Sequence, residues 1–372
     1  WRPYYLKKDE SMFWFNCFIV AYTCFLLFLL LSYTQGLIKR SKVEKTALPI
    51  RLEEITVVIP FRDEKENLAH LLNQIKDIST PPAKFLFVDD HSSDGGEALF
   101  ENMENQAIAL LSMKDKTGKK EAIYAGVSQA KTPYVLCWDA DITFSEGYFK
   151  ELSTLAKHSL IILPVSYESK WFFEWFFEVD VALANYINHA NAGIHRPVIC
   201  SGANLLVEKE SYLEVVSLDS HKHIASGDDA FLLRHMQQAN KSIELGALNQ
   251  CEVVTANPSS IGAFLQQRSR WFGKTFMLKD KVLNAYGLIQ LLFALSFFAL
   301  LLFLFFADPI LLLKFWFVKS LIETVLLLPF FYALRKTKLL TILPIYGLIF
   351  PIYNIVLLSS LFGKKEWKGR PI

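Results

Sequence analysis

Two aspartates one residue apart, Asp139 and Asp141, directly follow the apolar run Tyr134–Trp138. Carboxylates in this arrangement can hold Mg²⁺ or Mn²⁺, which are hard cations that often bind through a few protein oxygens together with substrate phosphates. A cation held there would neutralise a diphosphate leaving group. The same spacing also fits an ordinary turn capped by aspartate, and both interpretations stay open for this pair taken alone.

Further carboxylates follow two other apolar runs. Asp89 and Asp90 come directly after Phe85–Val88, and Glu64 lies shortly after Ile55–Pro60. Such carboxylates can accept hydrogen bonds from a nucleobase imide or a ribose hydroxyl, although turns and solvated loops use the same residues. They predict a nucleotide pocket only in combination with the paired aspartates.

Two more motifs offer a cation and a base. Lys119 belongs to Thr117–Lys120 at the start of a helix, where it can bring positive charge to phosphates or simply be solvated. Asp228 and Asp229 precede the amphipathic stretch Ala230–His235. An aspartate in that place is either a helix N-cap or a base beside an acceptor hydroxyl. Neither motif is decisive by itself.

The segment Gln267–Trp271 combines an amide, a fixed cation and an indole. Gln267 suits a hydroxyl, Arg270 suits phosphate oxygens and Trp271 suits the C–H face of a sugar. A long apolar run begins soon afterwards. The segment therefore predicts a clamp for a charged sugar donor at the border between a polar domain and a membrane.

Positioning these side chains requires strands that end at one edge of a sheet. The runs Ile55–Pro60, Phe85–Val88 and Tyr134–Trp138 predict buried parallel strands, and Glu64–Ile78 has the apolar spacing of a helix. Strands that alternate with helices predict an α/β fold, in which ligands bind beyond the carboxyl ends of the strands. Carboxylates follow each of the three predicted strands.

The chain is too apolar for an ordinary soluble protein, with 52% hydrophobic residues and 31 phenylalanines among 372 residues. Four segments are long enough to cross a hydrocarbon core about 30 Å thick. They are Met12–Tyr33, Tyr286–Ala307, Pro309–Leu334 and Leu339–Leu361. We therefore expect an N-terminal anchor and linker over residues 1–48, a catalytic domain over 49–280, and a membrane domain with about three spans over 281–372.

Two features of the apolar regions bear on function. Within Pro309–Leu334, the charged residues Lys314, Lys319 and Glu323 are costly in lipid unless they face protein or lipid phosphates. Lys319 and Glu323 also have the i,i+4 spacing of a helical ion pair. The aromatic stretch Trp171–Phe177 predicts a helix at the membrane interface, or the wall of an acceptor channel, rather than part of a core.

Charge and cysteine usage predict the location. Basic residues after the first span outnumber those before it, which predicts a cytoplasmic catalytic domain. We accordingly expect an integral membrane protein of a bacterial inner membrane. The five cysteines show no paired spacing, so the sequence predicts neither a zinc site nor a disulfide framework. A net charge of +2 without a basic and aromatic stripe predicts no nucleic-acid partner.

Taken in order along the chain, these motifs resemble the membrane-bound branch of the family 2 glycosyltransferases, which includes cellulose, chitin and hyaluronan synthases and ceramide glucosyltransferases. The resemblance implies a GT-A fold, a Rossmann-like mixed sheet that binds nucleotide sugars, flanked by transmembrane helices. It covers roughly residues 55–274. The motifs that carry it are Val57–Glu64, Val88–Asp94, Asp139–Asp141, Gly227–Asp229 and Gln267–Trp271.

The resemblance implies a role for each matching residue. Asp229, with Asp228 beside it, is the expected general base, and Asp141 together with Asp139 is the expected site for Mg²⁺ or Mn²⁺. The residues expected to contact substrate are Glu64, Asp89, Asp90, Lys119, Asp139, Gln267, Arg270 and Trp271. Two positions depart from the family pattern, because Asp228 stands where glutamate is common and His91 stands where glycine is common.

The implied function is inverting transfer of a sugar from a nucleoside-diphosphate sugar, with a UDP-sugar as the expected donor, to a lipid or glycan acceptor at the membrane. We favour single transfer to a lipid-linked or hydrophobic acceptor, because the predicted spans are few for a polymer channel. A short processive polysaccharide synthase is the alternative in the same class. A non-catalytic membrane scaffold with a nucleotide-sugar-like domain is the alternative of another class, and the intact carboxylates argue against it.

Overall fold

The computed structural model describes residues 2–43, 48–101, 103, 105–216, 228–277, 280–360, 366–367 and 370–371. The chain divides into two compact units. The sheet unit comprises Ile38–Glu168, Arg196–Asn257 and Lys364–Ile372, and the helical unit comprises Trp1–Leu37, Ser169–His195 and Pro258–Gly363. Each unit combines separate stretches of chain. The predicted division into consecutive domains with boundaries at residues 48 and 280 stays a prediction.

The sheet unit contains one large and one small sheet. The strands are, in chain order, β1 (Ile55–Phe61), β2 (Lys84–Asp89), β3 (Ile108–Ser112), β4 (Tyr134–Trp138), β5 (Ile142–Phe144), β6 (Leu160–Ile162), β7 (Val165–Tyr167), β8 (Asn204–Glu208), β9 (Ile243–Leu245), β10 (Val253–Thr255), β11 (Glu366–Trp367) and β12 (Arg370–Pro371). The large sheet has seven strands in the order β3-β2-β1-β4-β8-β6-β9, the small one has the order β5-β10-β7, and β11 pairs with β12.

The large sheet is mixed. Strands β3, β2, β1 and β4 run parallel to one another, whereas β8 runs antiparallel to both β4 and β6, and β9 is parallel to β6. Because β8 is antiparallel, its first residue lies at the same edge as the last residue of β4, and Trp138 pairs with Asn204. The predicted α/β class with a mixed sheet is therefore confirmed.

Burial explains which strands the sequence reveals. Every residue of β1 and of β4 is buried, as their apolar composition predicts. At the centre of the core, the fully buried indole of Trp138 lies with its ring centroid 6.4 Å from Phe85, 4.9 Å from Phe144 and 5.6 Å from Phe149. Strand β3 was not predicted, because it lies at the sheet edge and its side chains are only partly buried.

Helices account for most of the remaining chain. They are α1 (Arg2–Val43), α2 (Lys65–Lys76), α3 (Lys119–Gln129), α4 (Tyr148–Leu152), α5 (Glu174–Ile194), α6 (Lys209–Val215), α7 (Asp228–Gln238), α8 (Ile261–Met277), α9 (Lys281–Ala307), α10 (Pro309–Ala333) and α11 (Leu343–Ser360), with 3₁₀ turns at Leu52–Glu54, Gly96–Phe100 and Thr337–Ile342. Helix α3 lies so close to β1 that a Cβ atom at Gly126 would be 2.5 Å from Val58 Cγ1, and glycine is therefore required there.

Close packing also joins two helices of the helical unit. A Cβ atom at Gly193 of α5 would lie 1.9 Å from the carbonyl oxygen of Ser32 in α1, which no side chain could tolerate. Gly36, one turn further along α1, has the Cα of Gly193 as its nearest neighbour, at 3.1 Å from an added Cβ. These glycines allow the two backbones to cross in direct contact.

Three helical segments in the described part of the chain are long and apolar enough to cross a membrane. They are Met12–Arg40, Lys281–Ala307 and Thr337–Leu358. These correspond to three of the four predicted spans. The fourth predicted span forms α10, which carries Lys314, Lys319 and Glu323.

The aromatic stretch before and within α5 has two different halves. Trp171, Phe172 and Phe173 are 72%, 48% and 83% exposed. Phe177 is buried, and its ring stacks on Phe264 of α8 with centroids 4.5 Å apart. The exposed half suits the membrane interface, which stays a prediction, and the other half packs inside the helical unit.

Candidate functional site

The loops that follow β1 and β2 meet at the carboxyl edge of the large sheet. Phe61 at the end of β1 pairs with Asp89 at the end of β2, and the backbone N–H of Asp90 donates to the Phe61 carbonyl at 2.9 Å. Both aspartates are almost completely buried. Asp89 accepts hydrogen bonds from the backbone N–H of Ser92 at 3.1 and 3.3 Å, so its carboxylate shapes the loop from within.

Side chains tie the two loops together. Asp63 Oδ1 accepts from the backbone N–H of Ser93 at 2.7 Å, and Asp94 Oδ2 accepts from the backbone N–H of Lys65 at 2.7 Å, at the start of α2. His91, in the same loop, has a φ of 62°, the left-handed region that favours glycine. That conformation explains why the resemblance expects glycine at position 91.

Glu64 lies between these linked loops and α2. Its Oε2 accepts from the Asn67 side-chain amide at 2.6 Å, and its side chain is half-buried. The predicted nucleoside residues Glu64, Asp89 and Asp90 therefore occupy one ordered edge. Their predicted contact with a nucleoside stays a prediction. The hydrogen bonds of Asp63 and Asp94 between the loops were not predicted, because their partners lie about thirty residues away in sequence and only the register of β1 and β2 brings them together.

A chain of contacts leads from Asp90 to the paired aspartates. Asp90 Oδ1 accepts from the Thr117 hydroxyl at 2.9 Å and from the backbone N–H of Gly118 at 2.8 Å. Gly118 has a φ of 119°, so the turn that presents this N–H requires glycine. Lys119, the next residue, begins α3 and forms an ion pair with Asp139 Oδ1. The structure therefore brings Asp90, Lys119 and Asp139 into one connected network.

Asp139 and Asp141 lie between β4 and β5. Asp141 Oδ2 accepts from the Thr255 hydroxyl of β10 at 3.2 Å. Desolvation by the surrounding protein and then the negative charge of Asp139 raise the pKa of Asp141 above its ordinary value, although Asp141 is exposed. The positive charge of Lys119 opposes this rise in pKa, and the negative charge of Glu64 adds to it. Carboxylates that repel one another in this way favour a cation beside them.

The paired aspartates fit a hard divalent cation. In the part of the chain that the structure describes, no three His, Cys, Asp or Glu side chains are grouped so that they could hold a metal ion. Two carboxylates with substrate phosphate oxygens completing the shell are a common arrangement for Mg²⁺ and suit Mn²⁺ as well. Asp139 and Asp141 are thus the residues that could hold such an ion.

Asp229 lies at the same edge of the sheet, at the start of α7. Its Oδ2 accepts from the backbone N–H of Gly202 at 3.0 Å, and its Oδ1 accepts from the N–H of Ala230 at 2.8 Å. Gly202 precedes β8, whose first residue Asn204 pairs with Trp138 just before the paired aspartates. Each carboxylate oxygen of Asp229 keeps further acceptor capacity. The side chain of Asp228 lies outside the described residues.

Asn204 has a structural role that the sequence does not reveal. Its fully buried side chain accepts hydrogen bonds from the Tyr148 hydroxyl at 2.6 Å and the Trp138 indole at 3.2 Å. Its amide nitrogen donates to the carbonyls of Pro164 and Cys251 at 2.8 and 2.7 Å. Asn204 therefore fixes β8 against β4 and the small sheet, and so fixes the edge on which the carboxylates stand.

The predicted clamp lies on helix α8 of the helical unit. Gln267, Arg270 and Trp271 have i, i+3 and i+4 spacing and share one helix face. Gln267 and Arg270 are half-buried, and Trp271 is 44% exposed. The structure thus brings these three residues together on one helix, and their predicted contact with substrate stays a prediction.

Arg268, inside the same segment, was not predicted to matter. Its side chain is 6% exposed, and its Nε binds Asp180 Oδ2 of α5 at 2.5 Å. The guanidinium carbon lies 4.3 Å from the Trp271 ring centroid and 4.9 Å from that of Phe264. Tyr346 of α11 donates to Asp180 Oδ1 at 2.8 Å. Acidic residues in the aromatic and aliphatic first half of helix α5 are the sequence signal that could have revealed this network.

Two family models match the chain. Glycosyl transferase family 2 matches residues 56–211. Glycosyl transferase family group 2 matches residues 134–352, which is more than half of the chain. Together the two matches include all of the predicted site residues, from Glu64 to Trp271.

Individual relatives match over shorter or more distant stretches. A poly-β-1,6-N-acetyl-D-glucosamine synthase of Staphylococcus aureus (strain COL) is 29% identical over 91 residues, 24% of this chain and 22% of that synthase. The synthase of the same name from Staphylococcus epidermidis is 26% identical over 97 residues, 26% of this chain and 24% of that synthase. The matches therefore span less than a quarter of the length of these curated relatives.

One solved structure shares the fold over most of its length. It is the mannosyltransferase PcManGT from Pyrobaculum calidifontis in complex with GDP-Man and Mn²⁺, with a TM-score of 0.51, 15% identity, and coverage of 91% of this chain and 99% of that one. At this identity the likeness concerns the fold alone. It agrees with the GT-A fold that the motifs predict.

Proposed function

Since the chain belongs to the family 2 glycosyltransferases, we propose that it transfers a sugar with inversion from a nucleoside-diphosphate sugar to a lipid-linked or hydrophobic acceptor. One observation carries the proposal. Carboxylates that follow β1, β2 and β4, together with Asp229 beside the start of β8, stand at a single edge of one sheet. Ligands of open α/β sheets bind at this edge.

The nucleoside is assigned to the linked loops after β1 and β2. Glu64, Asp89 and Asp90 supply carboxylate acceptors for base and ribose groups. The positions of these carboxylates are supported by the hydrogen bonds between the two loops and by the bond from Gly118 to Asp90. Lys119 is assigned to the diphosphate, because its ammonium group already forms an ion pair with Asp139 at the same edge of the sheet.

The divalent cation is assigned to Asp139 and Asp141, with Asp141 as the principal ligand, and both Mg²⁺ and Mn²⁺ suit these oxygens. When bound, the ion neutralises negative charge on the diphosphate as it leaves. The chain's own contribution is to hold the two carboxylates on the short connection between β4 and β5, with Thr255 donating to Asp141.

Asp229 is assigned as the general base. Its carboxylate takes the proton of an acceptor hydroxyl while the hydroxyl oxygen bonds to the anomeric carbon and the bond from that carbon to the diphosphate oxygen breaks. Backbone N–H groups of Gly202 and Ala230 donate to the two carboxylate oxygens and hold them in place. Asp228 is proposed to support this base as its neighbour on the chain.

The three α8 residues are assigned to the diphosphate and to the sugar or acceptor groups. Arg270 is proposed to bind the diphosphate, Trp271 to stack on a sugar face, and Gln267 to bind a hydroxyl. Three helical segments long and apolar enough to span a membrane support an acceptor that arrives from the bilayer. We place the catalytic domain in the cytoplasm, at a bacterial inner membrane, on the balance of basic residues around the first span.

The test incubates the purified full chain with membrane lipids and a panel of donors that includes UDP-N-acetylglucosamine, UDP-glucose and GDP-mannose. Mass spectrometry identifies the product, and a UDP-sugar is the expected donor. A chelator is expected to abolish transfer, and Mg²⁺ or Mn²⁺ to restore it. Absence of transfer and of donor hydrolysis across the panel would favour the non-catalytic scaffold.

The base assignment has its own test. Asp229→Asn is expected to lower the transfer rate by about 10² to 10⁴ while donor binding stays intact. The matched control is Asp308→Asn, because Asp308 caps α10 and asparagine caps helices equally well. Full transfer activity in Asp229→Asn would eliminate the assignment.

A short polysaccharide synthase is the second candidate. It is favoured by the likeness to the two poly-β-1,6-N-acetyl-D-glucosamine synthases, although that likeness spans less than a quarter of their length. Product length separates the candidates, because single transfer gives one added sugar and a processive enzyme gives a ladder.

A further inference from the structure

Two charged residues of α10 are buried inside the helical unit. The side chains of Lys319 and Glu323 are 7% and 10% exposed, and Lys319 Nζ contacts Glu323 Oε1 at 2.6 Å. The predicted i,i+4 ion pair is therefore confirmed. Buried charges in membrane proteins are costly, and they commonly mark a place where something is bound or moved. The surroundings of this pair accordingly indicate which kind of molecule it could bind.

The two oxygens of Glu323 have different surroundings. Oε1 receives both the Lys319 ammonium and a hydrogen bond from the Tyr22 hydroxyl at 2.5 Å. Oε2 is also buried, and no residue that the structure describes donates a hydrogen bond to it. Buried acceptors are almost always paired, because an unpaired one loses its hydration without compensation. Oε2 can therefore accept a hydrogen bond from a molecule outside the chain.

A cavity of about 110 Å³ adjoins the pair. Apart from the charged pair, its lining is mainly aromatic and aliphatic, with Phe18, Phe293 and Phe350 among the lining residues. These three come from α1, α9 and α11, which contain the segments able to span a membrane. Apolar cavities of this order of size accept hydrocarbon groups such as a benzene ring. The cavity thus joins an apolar chamber to the unpaired Glu323 oxygen, and the hydroxyl of Tyr186, another lining residue, has no hydrogen-bond partner among the described residues either.

Gly347 keeps the polar end of this cavity open. A Cβ atom added there would lie 2.9 Å from Lys319 Nζ and 3.8 Å from Glu323 Oε2. Even alanine would therefore displace the lysine and occupy the space beside the unpaired oxygen. Gly347 lines the cavity together with both charged residues.

We propose that this cavity binds a neutral lipid alcohol, of which diacylglycerol is the simplest example. The hydroxyl donates a hydrogen bond to Glu323 Oε2, and the adjoining hydrocarbon fills the apolar lining. Lys319 leaves the pair without net charge, so a cation gains little there, and the carboxylate oxygen repels a phosphate. The site goes beyond the sugar-transfer reaction, and occupying it requires no sugar donor.

The test uses the full chain in lipid nanodiscs with a dioleoylglycerol that carries a photoactivatable group on one acyl chain. Crosslinks, mapped by mass spectrometry, are expected in peptides of α1, α9 and α11. Unlabelled dioleoylglycerol should compete, and its acetyl ester, which lacks the hydroxyl, should not. Glu323→Gln replaces a charged acceptor with a neutral amide and is expected to weaken binding about 10-fold. Gly347→Ala puts a methyl group beside Oε2 and is expected to weaken it by a similar factor.

Matched controls exist for both variants. Glu178 is also buried and contacts Lys336 at 2.6 Å, yet it is not among the described residues that line this cavity, so Glu178→Gln should bind like the unaltered protein. Gly287→Ala is the second control, because nothing lies within 4 Å of its added Cβ. Equal competition by alcohol and acetyl ester overturns the proposal. Unchanged binding in Gly347→Ala does so as well, and this variant suits the test even if Glu323→Gln fails to fold, because alanine favours helix.

Discussion

The helical unit contains two buried triads made of a basic residue, a carboxylate and a tyrosine, and they differ in how the carboxylate is used. In the first, Asp180 Oδ2 forms an ion pair with Arg268 Nε at 2.5 Å, and Asp180 Oδ1 accepts a hydrogen bond from the Tyr346 hydroxyl at 2.8 Å. Both oxygens have a partner, and we name this set the closed triad. It joins α5, α8 and α11 around the segment that carries the predicted clamp.

In the second, Glu323 Oε1 accepts from both the Lys319 ammonium and the Tyr22 hydroxyl, and Oε2 has no donor among the described residues. We name this set the open triad. It joins α10 to α1, beside an apolar cavity. Both triads combine a basic residue, a carboxylate and a tyrosine, and they differ in whether the second carboxylate oxygen has a partner among the described residues.

This difference assigns a structural role to the closed triad and a binding role to the open triad. A buried carboxylate that has a partner on each oxygen is held from two sides, whereas one with an unpaired oxygen keeps the capacity to bind another molecule. The closed triad places a guanidinium against the ring of Trp271 and so restrains a predicted substrate residue. The open triad restrains less and offers an acceptor. The predictions that follow test this assignment.

The largest expected effect is loss of the anion from the closed triad. Asp180→Ala leaves the Arg268 guanidinium buried without its counter-ion and should lower the free energy of unfolding by about 3–5 kcal/mol. Denaturant unfolding of the full chain in detergent micelles measures it. The double variant Asp180→Leu with Arg268→Met should recover most of the loss, because matched apolar residues remove the uncompensated charge. Stability close to that of the unaltered protein in Asp180→Ala would contradict a closed triad.

The second prediction compares the two tyrosines. Tyr346→Phe removes the hydrogen bond to Asp180 Oδ1 and should lower the free energy of unfolding by about 1.5–3 kcal/mol. Tyr22→Phe should lower it less, because Glu323 Oε1 keeps its contact with Lys319. The same unfolding measurement on both variants gives the order. The reverse order would mean that the open triad is the more tightly held of the two.

The third prediction concerns the shape of the cation. Arg268→Lys keeps the charge but loses the planar group that lies 4.3 Å from Trp271 and 4.9 Å from Phe264. The expected cost is about 0.5–2 kcal/mol in the free energy of unfolding. A double-mutant cycle with Trp271→Leu isolates the stacking, because the two changes should then be less than additive. Strict additivity would show that Arg268 does not restrain Trp271.

The sequence predicts those parts of the fold that follow from local composition. Strand β4 has the predicted bounds, and β1 and β2 extend the predicted runs by one residue or two, because buried parallel strands are continuous apolar runs. Strand β3 escaped detection because its side chains are partly exposed and carry no such pattern. The Lys319–Glu323 pair was predictable for the same reason as β4, since its spacing is local.

In the candidate site, too, features of local sequence were predictable and contacts between distant residues were not. Most of the site's carboxylates were identifiable because they come after apolar runs, as Asp139 follows β4, and Asp229 was identifiable because it precedes an amphipathic stretch. The bonds that fix them were not, because Asp63 meets Ser93, and Gly202 meets Asp229, only after the sheet has formed. Tyr22 completes the open triad from 301 residues away in sequence. Sequence spacing contains no signal for contacts of that kind.

The smallest expected effect comes from an ion pair at the surface. It tests whether the contribution of the closed triad to the free energy of unfolding depends on burial. Lys241 contacts Glu214 at 2.5 Å, as close as Arg268 is to Asp180, but the Glu214 side chain is 61% exposed. Water screens this pair, so Glu214→Gln should change the free energy of unfolding by no more than about 1 kcal/mol. If it cost as much as Asp180→Ala under the same unfolding conditions, charge pairing alone would explain the closed triad. Burial would then no longer distinguish the closed triad from an ion pair at the surface.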